Sequence, residues 1–277
     1  MEMISAVKMR RAVSAVMNVR PYAKSVLVVL RQLAMVERSE SHPFLTDRPV
    51  KKAIYVVIGS NRGLCGSFNS QVSRRLRTVL EEDRGREAEY VTIGRKADAM
   101  VRRLGGDIIA SFPDILPAPE VSKIRPIAKL LVERFLSGET DRVVMVYTDF
   151  VSVLSQVVKV RALLPIVEKD VLKALHEMYP DTGTDEAVRS DAEYVIEPSS
   201  KEVLDGLVLQ LLTMELYHGV LESNASKEAA RMMAMRNATD AAKDMVSGLT
   251  LAYNQIRQAK ITAEIAELSA GKAALEN

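Results

Sequence analysis

From Ser199 to about Ala270 the chain has no proline and reads as one unbroken helix, far longer than a globular domain requires. Its start is marked by a capping box, Ser199-Ser200-Lys201-Glu202. There a serine oxygen takes a free amide of the first turn and the glutamate reaches back to the cap amide. Farther along, Met232, Met235, Thr239, Ala242, Val246, Leu249, Tyr253 and Ile256 recur at alternating steps of three and four, with one polar interruption. That spacing is the heptad pattern of a left-handed supercoil. At 1.5 Å per residue the helix runs about 105 Å, several times the radius of a compact domain of this size. A helix this long with one apolar seam needs a partner.

The other end of the chain supplies a candidate. Residues 1–38 also read as helix, with Ala6, Met9, Val13, Val16, Ala23, Leu27, Leu30 and Ala34 in the same rhythm and Arg20 its one charged member. Pro21 removes one backbone bond and is expected to bend this helix. Two terminal helices joined by a domain would pair antiparallel, although periodicity alone fits an ordinary helical bundle equally well. Residues 1–38 carry seven Lys or Arg against two acids. A solvated helix face, a nucleic-acid stripe and an acidic protein sleeve are all compatible with that excess.

Composition narrows the rest. With 277 residues, 48% of them apolar, the chain can bury a sizeable core in one or two domains. Aromatic residues are only 5% and Trp is absent, which suits Ala-, Met- and Leu-rich helical seams better than a compact β protein. Cys65 is the single cysteine, so no intrachain disulfide is possible and a reducing compartment is expected. The charged first residues do not read as a secretory signal, and no apolar run reaches the length of a membrane helix. Membrane association is therefore expected to come through a partner.

Between the helices, His42-Pro43 to Pro49 is a turn-rich linker, and from Lys52 to Glu197 short β-rich runs alternate with amphipathic helices. Strands are expected at 53–58, 89–93, 107–112, 142–148 and 152–164, the last at an edge after a tight turn at Asp149-Phe150. Helices are expected at 71–80, 96–104 and 121–135. A βαβ repeat implies a largely parallel sheet with helices on its faces. The polar segment Glu168–Asp191, with Pro180-Asp181-Thr182-Gly183, reads as a mobile loop. The division is thus an N-terminal coiled-coil helix (1–40), a Rossmann-like α/β domain (52–197) and a C-terminal coiled-coil helix (199–270).

Catalytic signals are weak. Gly59-Ser60-Asn61-Arg62-Gly63-Leu64-Cys65-Gly66-Ser67 lies between a strand and a helix, where a phosphate loop would sit. Its glycines at 59, 63 and 66 give neither the dinucleotide fingerprint nor the Lys-Ser/Thr ending of a P-loop. The spacing therefore favours a tight strand-to-helix turn. His42, His176 and His218 are far apart and in no metal-binding or nucleophile pattern. Nothing supplies a base beside Cys65. Neither a cofactor nor a metal is expected.

Several short motifs then carry a resemblance. They are Met1-Glu2-Met3 through Lys8-Met9-Arg10, Arg20-Pro21-Tyr22-Ala23, Arg62-Gly63-Leu64-Cys65-Gly66, Leu221-Glu222-Ser223, Ala229-Ala230-Arg231-Met232, Ala238-Thr239, Tyr253-Asn254, and Arg257-Gln258-Ala259-Lys260-Ile261-Thr262. In that order, over nearly the whole chain, they resemble the gamma subunit family of rotary F-type ATP synthases. The resemblance implies an α/β fold plus a long coiled coil, in which the terminal helices pair antiparallel and a Rossmann-like α/β domain is inserted between them. It also implies a noncatalytic central-stalk rotor that couples ion flow, of protons by expectation, through the membrane ring to ATP synthesis or hydrolysis at the beta subunits. The implied partners are the alpha and beta subunits of the catalytic hexamer, the epsilon subunit and the membrane c-ring, with no nucleic acid. The implied location is peripheral, on the cytoplasmic face of the cell inner membrane.

Residue by residue, Arg257, Gln258 and Thr262 match positions where the family's shaft meets a loop of beta. Cys65 and its neighbours match the loop facing beta's acidic helix-turn-helix. Tyr194 and Glu197 match positions at the foot near the ring. Met1 matches a point well inside the family's first helix. With about 57 Å for 38 helical residues, the first helix is then expected to leave the end of the long one, including Ala259, Ala263, Ala266 and Ala270, without a partner on this chain. Either the native protein begins earlier or a surrounding sleeve holds that end. The competing class is a nucleotide-binding α/β enzyme with the glycine loop as its phosphate site and the coiled coil as a dimerisation arm.

Overall fold

The computed structural model describes residues 2–36, 43–44, 46, 48–116, 119–166 and 200–275, and the side chains of those in 2–19, 43–166 and 206–272. The elements in chain order are α1 (Glu2–Val36), β1 (Lys52–Ile58), α2 (Phe68–Glu82), β2 (Glu87–Ile93), α3 (Arg95–Arg103), β3 (Asp107–Phe112), α4 (Val121–Leu136), β4 (Arg142–Phe150), β5 (Gln156–Leu164) and α5 (Ser200–Leu275). The backbone is helical straight through position 21. Ser199 of the capping box and the 168–191 segment lie outside the described residues, as do Tyr194 and Glu197.

The sheet order is β3-β2-β1-β4-β5. β1 pairs parallel with β2 from Lys52↔Glu87 to Ile58↔Ile93, and parallel with β4 from Ala53↔Arg142. β5 returns antiparallel along β4, with Thr148 opposite Val158, and forms one edge. Strand β1 reads as continuous apolar sequence because both its faces are covered. Ile54, Val56 and Ile58 pack with Ile124, Ile127, Leu131 and Phe135 of α4 and with Val208, Leu212, Leu216 and Val220 of α5. Tyr55 and Val57, pointing the other way, pack with Val72, Leu76 and Val79 of α2 and Ala97, Met100 and Val101 of α3.

One strand begins later than its apolar pattern suggests. Residues 152–155 form the hairpin turn, not the start of β5. Ser152 N–H donates to Ser155 O at 2.9 Å, and the Ser152 hydroxyl oxygen accepts from Ser155 N–H at 3.0 Å. Serine side chains that bond nearby backbone compete with ladder pairing.

The terminal helices meet through Ala12 and Val16 of α1 and Leu221 and Ala225 of α5, with Val13, Ala15, Val19, Phe150 and Tyr217 partly buried around them. The buried line on α1 is Ser5, Ala12 and Val16, so the expected seam of Ala6, Val13 and Val16 is shifted by one position in part. The small Ala12 permits close approach to Ala225, which a larger residue would prevent.

The chain divides into two compact units, Met1–Met232 and Met233–Asn277. In the second, residues 236–272 of α5 are exposed except for the half-buried Asn254. The heptad seam expected to lie against α1 is therefore open at Val246, Leu249, Tyr253 and Ile256, which are 63%, 64%, 64% and 71% exposed.

Candidate functional site

In an open α/β sheet, ligands bind outside the carboxyl ends of the strands where the strand order reverses. Here that switch point lies between β1 and β4, beside the glycine loop and the end of β4. The loop's polar groups are engaged within the protein. Gly59 N–H donates to Ile93 O at 2.9 Å and Ser60 N–H to Asn69 Oδ1 at 3.1 Å. Lys96 N–H at the start of α3 donates to Ser60 O at 2.8 Å, and Arg95 N–H to Asn61 Oδ1 at 3.0 Å. A Cβ on Gly59 would lie 2.8 Å from Ala97 N, so the turn is packed directly onto α3. The first two amides of the turn, those of Gly59 and Ser60, are thus bonded within the protein, in contrast to a phosphate loop, whose amides face a ligand.

The crevice itself is occupied by α5. Thr148 N–H, near the carboxyl end of β4, donates to Ser223 Oγ at 3.1 Å, and Ser226 Oγ donates to Thr148 O at 3.3 Å. Ser223 and Ser226 are buried, as are Ala225, Lys227, Glu228 and Ala229 around them. Gly219 lets this helix approach β4 closely, since a Cβ there would lie 2.7 Å from Met145 Sδ. The helix thus sits where a dinucleotide-binding fold would place its ligand.

Charged groups line the same stretch of α5, and two contacts, Arg161–Glu215 and Asp149–Glu222, join it to β5 and β4. Arg161 Nη1 donates to Glu215 Oε2 at 2.6 Å, with both side chains nearly buried. Lys159 Nζ lies 2.7 Å from Asp149 Oδ2, and His218 Nε2 lies 3.3 Å from Glu222 Oε1. Lys227 donates to Asn224 Oδ1 at 2.6 Å and lies 3.4 Å from Glu228 Oε1, which also holds Arg231 through its second oxygen at 2.7 Å. Burial pushes the Lys227 ammonium below its ordinary value in spite of Glu228. At Asp149 burial works upward, but the hydrogen bond shared with Glu222 and the Lys159 ammonium outweigh it and hold the carboxyl below its usual range.

The sign for stability follows from that lowered value. The unfolded chain binds a proton at Asp149 before the folded one does, so its contribution is complete above about pH 4 and is lost as pH falls through the folded value. Urea unfolding of Asp149→Asn against wild type should therefore show a difference at pH 7 that narrows steadily below pH 4. A difference independent of pH would show that the Asp149 charge does not matter.

The expected contact residues fall in separate places. Arg257, Gln258 and Thr262 are exposed on the second unit. Thr262 Oγ1 donates back to Gln258 O at 2.9 Å, which puts these two one turn apart on one line of the helix, while Arg257 points about 100° away. Cys65 is 2% exposed, and its Sγ accepts from Asn69 Nδ2 at 3.1 Å. The outward side chain of that loop is Leu64, at positive φ and 68% exposed. The buried set on α5 was not expected from sequence, because Glu215, Ser223 and Ser226 find their partners on β5 and β4, more than fifty residues away. The available signal was that 211–229 carries apolar residues on more than one helix face.

An α/β domain whose ligand crevice is filled by its own C-terminal helix defines a structural subunit built around a helical shaft. A family model described as ATP synthase matches residues 1–275, and the chain belongs to the ATP synthase gamma chain family. It is 38% identical over 277 residues to the ATP synthase gamma chain of Nitrosococcus oceani, covering 99% of this chain and 92% of that one. It is 39% identical over 276 residues to that of Pelotomaculum thermopropionicum, again with 92% of the relative covered. Its fold is similar to a chain in the central stalk and c-ring structure of the Tetrahymena thermophila mitochondrial ATP synthase, with a TM-score of 0.64 at 23% identity over 86% of this chain and 97% of that one. No described helix is long and apolar enough to cross a membrane.

Proposed function

We propose that this chain is the noncatalytic rotating central stalk of an ATP synthase, coupling proton flow through a membrane c-ring to ATP synthesis or hydrolysis on the beta subunits. The observation that carries this reading is the occupied crevice. A domain whose switch-point site is filled by α5 offers that helix a rigid socket instead of offering a nucleotide a pocket. The same occupancy argues against a nucleotide-binding enzyme with a dimerisation arm.

The division of labour is an N-terminal helix (1–40), an α/β domain (52–197) and a C-terminal helix (199–270). The exposed apolar line at Val246, Leu249, Tyr253 and Ile256 faces the alpha and beta subunits of a hexamer. The α/β domain, with Tyr194 and Glu197 at its foot, meets the epsilon subunit and the c-ring at the cytoplasmic face of the inner membrane. Different faces of an asymmetric shaft stabilise different conformations of three equivalent partners, so rotation changes their nucleotide affinities in turn. Arg257, Gln258 and Thr262 contact beta on the shaft, and the Cys65 loop does so through its outward residues.

The test is a complex reassembled with Arg257→Ala/Gln258→Ala. Exposed helix substitutions change stability by less than about 0.5 kcal/mol, so the fold is retained by circular dichroism. Charge-assisted interface contacts are worth about 1.5–3 kcal/mol each, enough to weaken ATP-driven proton pumping relative to the ATPase rate. Wild-type pumping in the double variant would remove both residues from the coupling contact.

A further inference from the structure

On the sheet face opposite α4 and α5, helices α2 and α3 border a groove of about 730 Å³. Arg74 and Arg77 enter it from one wall and Lys96 and Arg103 from the other. The only carboxylate in its lining is Glu81. None of the four cations joins an ion pair among the described residues. Some surface charges on these helical layers are matched, as Arg75 is 3.7 Å from Glu82, Lys123 3.3 Å from Glu120 and Lys129 3.6 Å from Glu133, and what distinguishes the four is that they surround one concavity. Four unmatched positive groups around one concavity repel one another and raise the local concentration of anions. Packing of the fold does not account for them, since all four side chains are exposed and the core beneath is supplied by Val72, Leu76, Ala97 and Val101.

The lining also limits the ligand. Its larger apolar contribution is Met100 alone, and it has no aromatic ring on which a base could stack. The groove reads charge, with guanidinium forks suited to phosphate oxygens and the Ser73 hydroxyl as an added donor. Its volume is that of a small-molecule site.

We propose that the α2–α3 groove binds a small, multiply charged phosphoanhydride of the pyrophosphate class, gripped between Arg74 and Arg77 on one side and Lys96 and Arg103 on the other. The site is separate from the occupied crevice and does not depend on the stalk role. The same diphosphate chemistry is offered by free pyrophosphate and by ADP, and the groove favours the free anion because nothing in it holds a nucleoside.

Isothermal titration calorimetry of the full chain with inorganic pyrophosphate, at physiological ionic strength, tests this. Saturable one-to-one binding is expected, tighter than for orthophosphate, with a matching rise in thermal unfolding temperature. Loss of charge-assisted bonds in Arg77→Gln/Lys96→Gln should weaken binding by about tenfold or more. Arg74→Gln/Arg103→Gln should do the same, while Arg125→Gln, which lines a different cavity between α4 and α5, should leave it unchanged. ADP binding more tightly than pyrophosphate would overturn the preference for the free anion. No saturable binding of pyrophosphate, or binding in the two double variants as tight as in the wild-type chain, would overturn the site itself.

Discussion

Replacing Glu215 by Ala is expected to destabilise the full chain by about 3–5 kcal/mol, because it leaves the Arg161 guanidinium nearly buried with its ion pair gone. Arg161 also lies near the Tyr147 ring, 5.7 Å from the centroid, which is a weaker partner than a carboxylate at 2.6 Å. The double variant Arg161→Met/Glu215→Leu should recover most of the loss, since apolar residues of similar volume often replace a buried pair at little cost. Urea unfolding of the two variants side by side checks both statements. If the double variant were no more stable than Glu215→Ala, the pair would be acting through shape and not charge.

Gly94→Ala is expected to cost about 3 kcal/mol or more, combining strain at a positive φ with overpacking. Gly94 sits at φ +98°, and a Cβ there would lie 2.5 Å from Gly59 O and 2.7 Å from Leu116 Cδ1. The first neighbour is backbone, fixed because Gly59 itself is packed on Ala97, so the clash cannot be relieved by a rotamer change. At Gly63 a Cβ would meet nothing within 4 Å, and Gly63→Ala should be nearly neutral. Thermal unfolding of both variants separates the glycine that closes the loop onto α3 from the one that merely lies in it.

The fold was largely legible in the sequence because strands β1 and β4 are apolar on both faces and the helices between the strands keep a clear period. The hairpin turn at 152–155 was hidden because Val151, Val153 and Leu154 continue the apolar pattern, while the serine bonds that end it are local and leave no periodic trace. The heptad rhythm correctly marked Val16 as facing α5 but placed the rest of the contact imperfectly, since Ser5 and Ala12 are chosen for smallness and not for apolarity. The locking seam was the least visible part. Glu215 and Glu222 look like part of an ordinary solvated face until β5 and β4 bring Arg161 and Asp149 beside them. A charge's burial depends on partners distant in the chain, and no local spacing encodes that.

The helix in the switch-point crevice can be regarded as a tethered ligand. A free ligand in such a crevice leaves at a rate set by its own dissociation constant, whereas this one is covalently joined to its receptor and rebinds at high effective concentration. Detaching the α/β domain from α5 therefore requires local unfolding, with Thr148–Ser223, Arg161–Glu215 and the apolar contacts of Leu212, Leu216 and Val220 all lost together. A force applied along the sheet is shared as shear across those contacts at once, so the joint resists slippage without a covalent cross-link, and the chain's one cysteine is not needed for it.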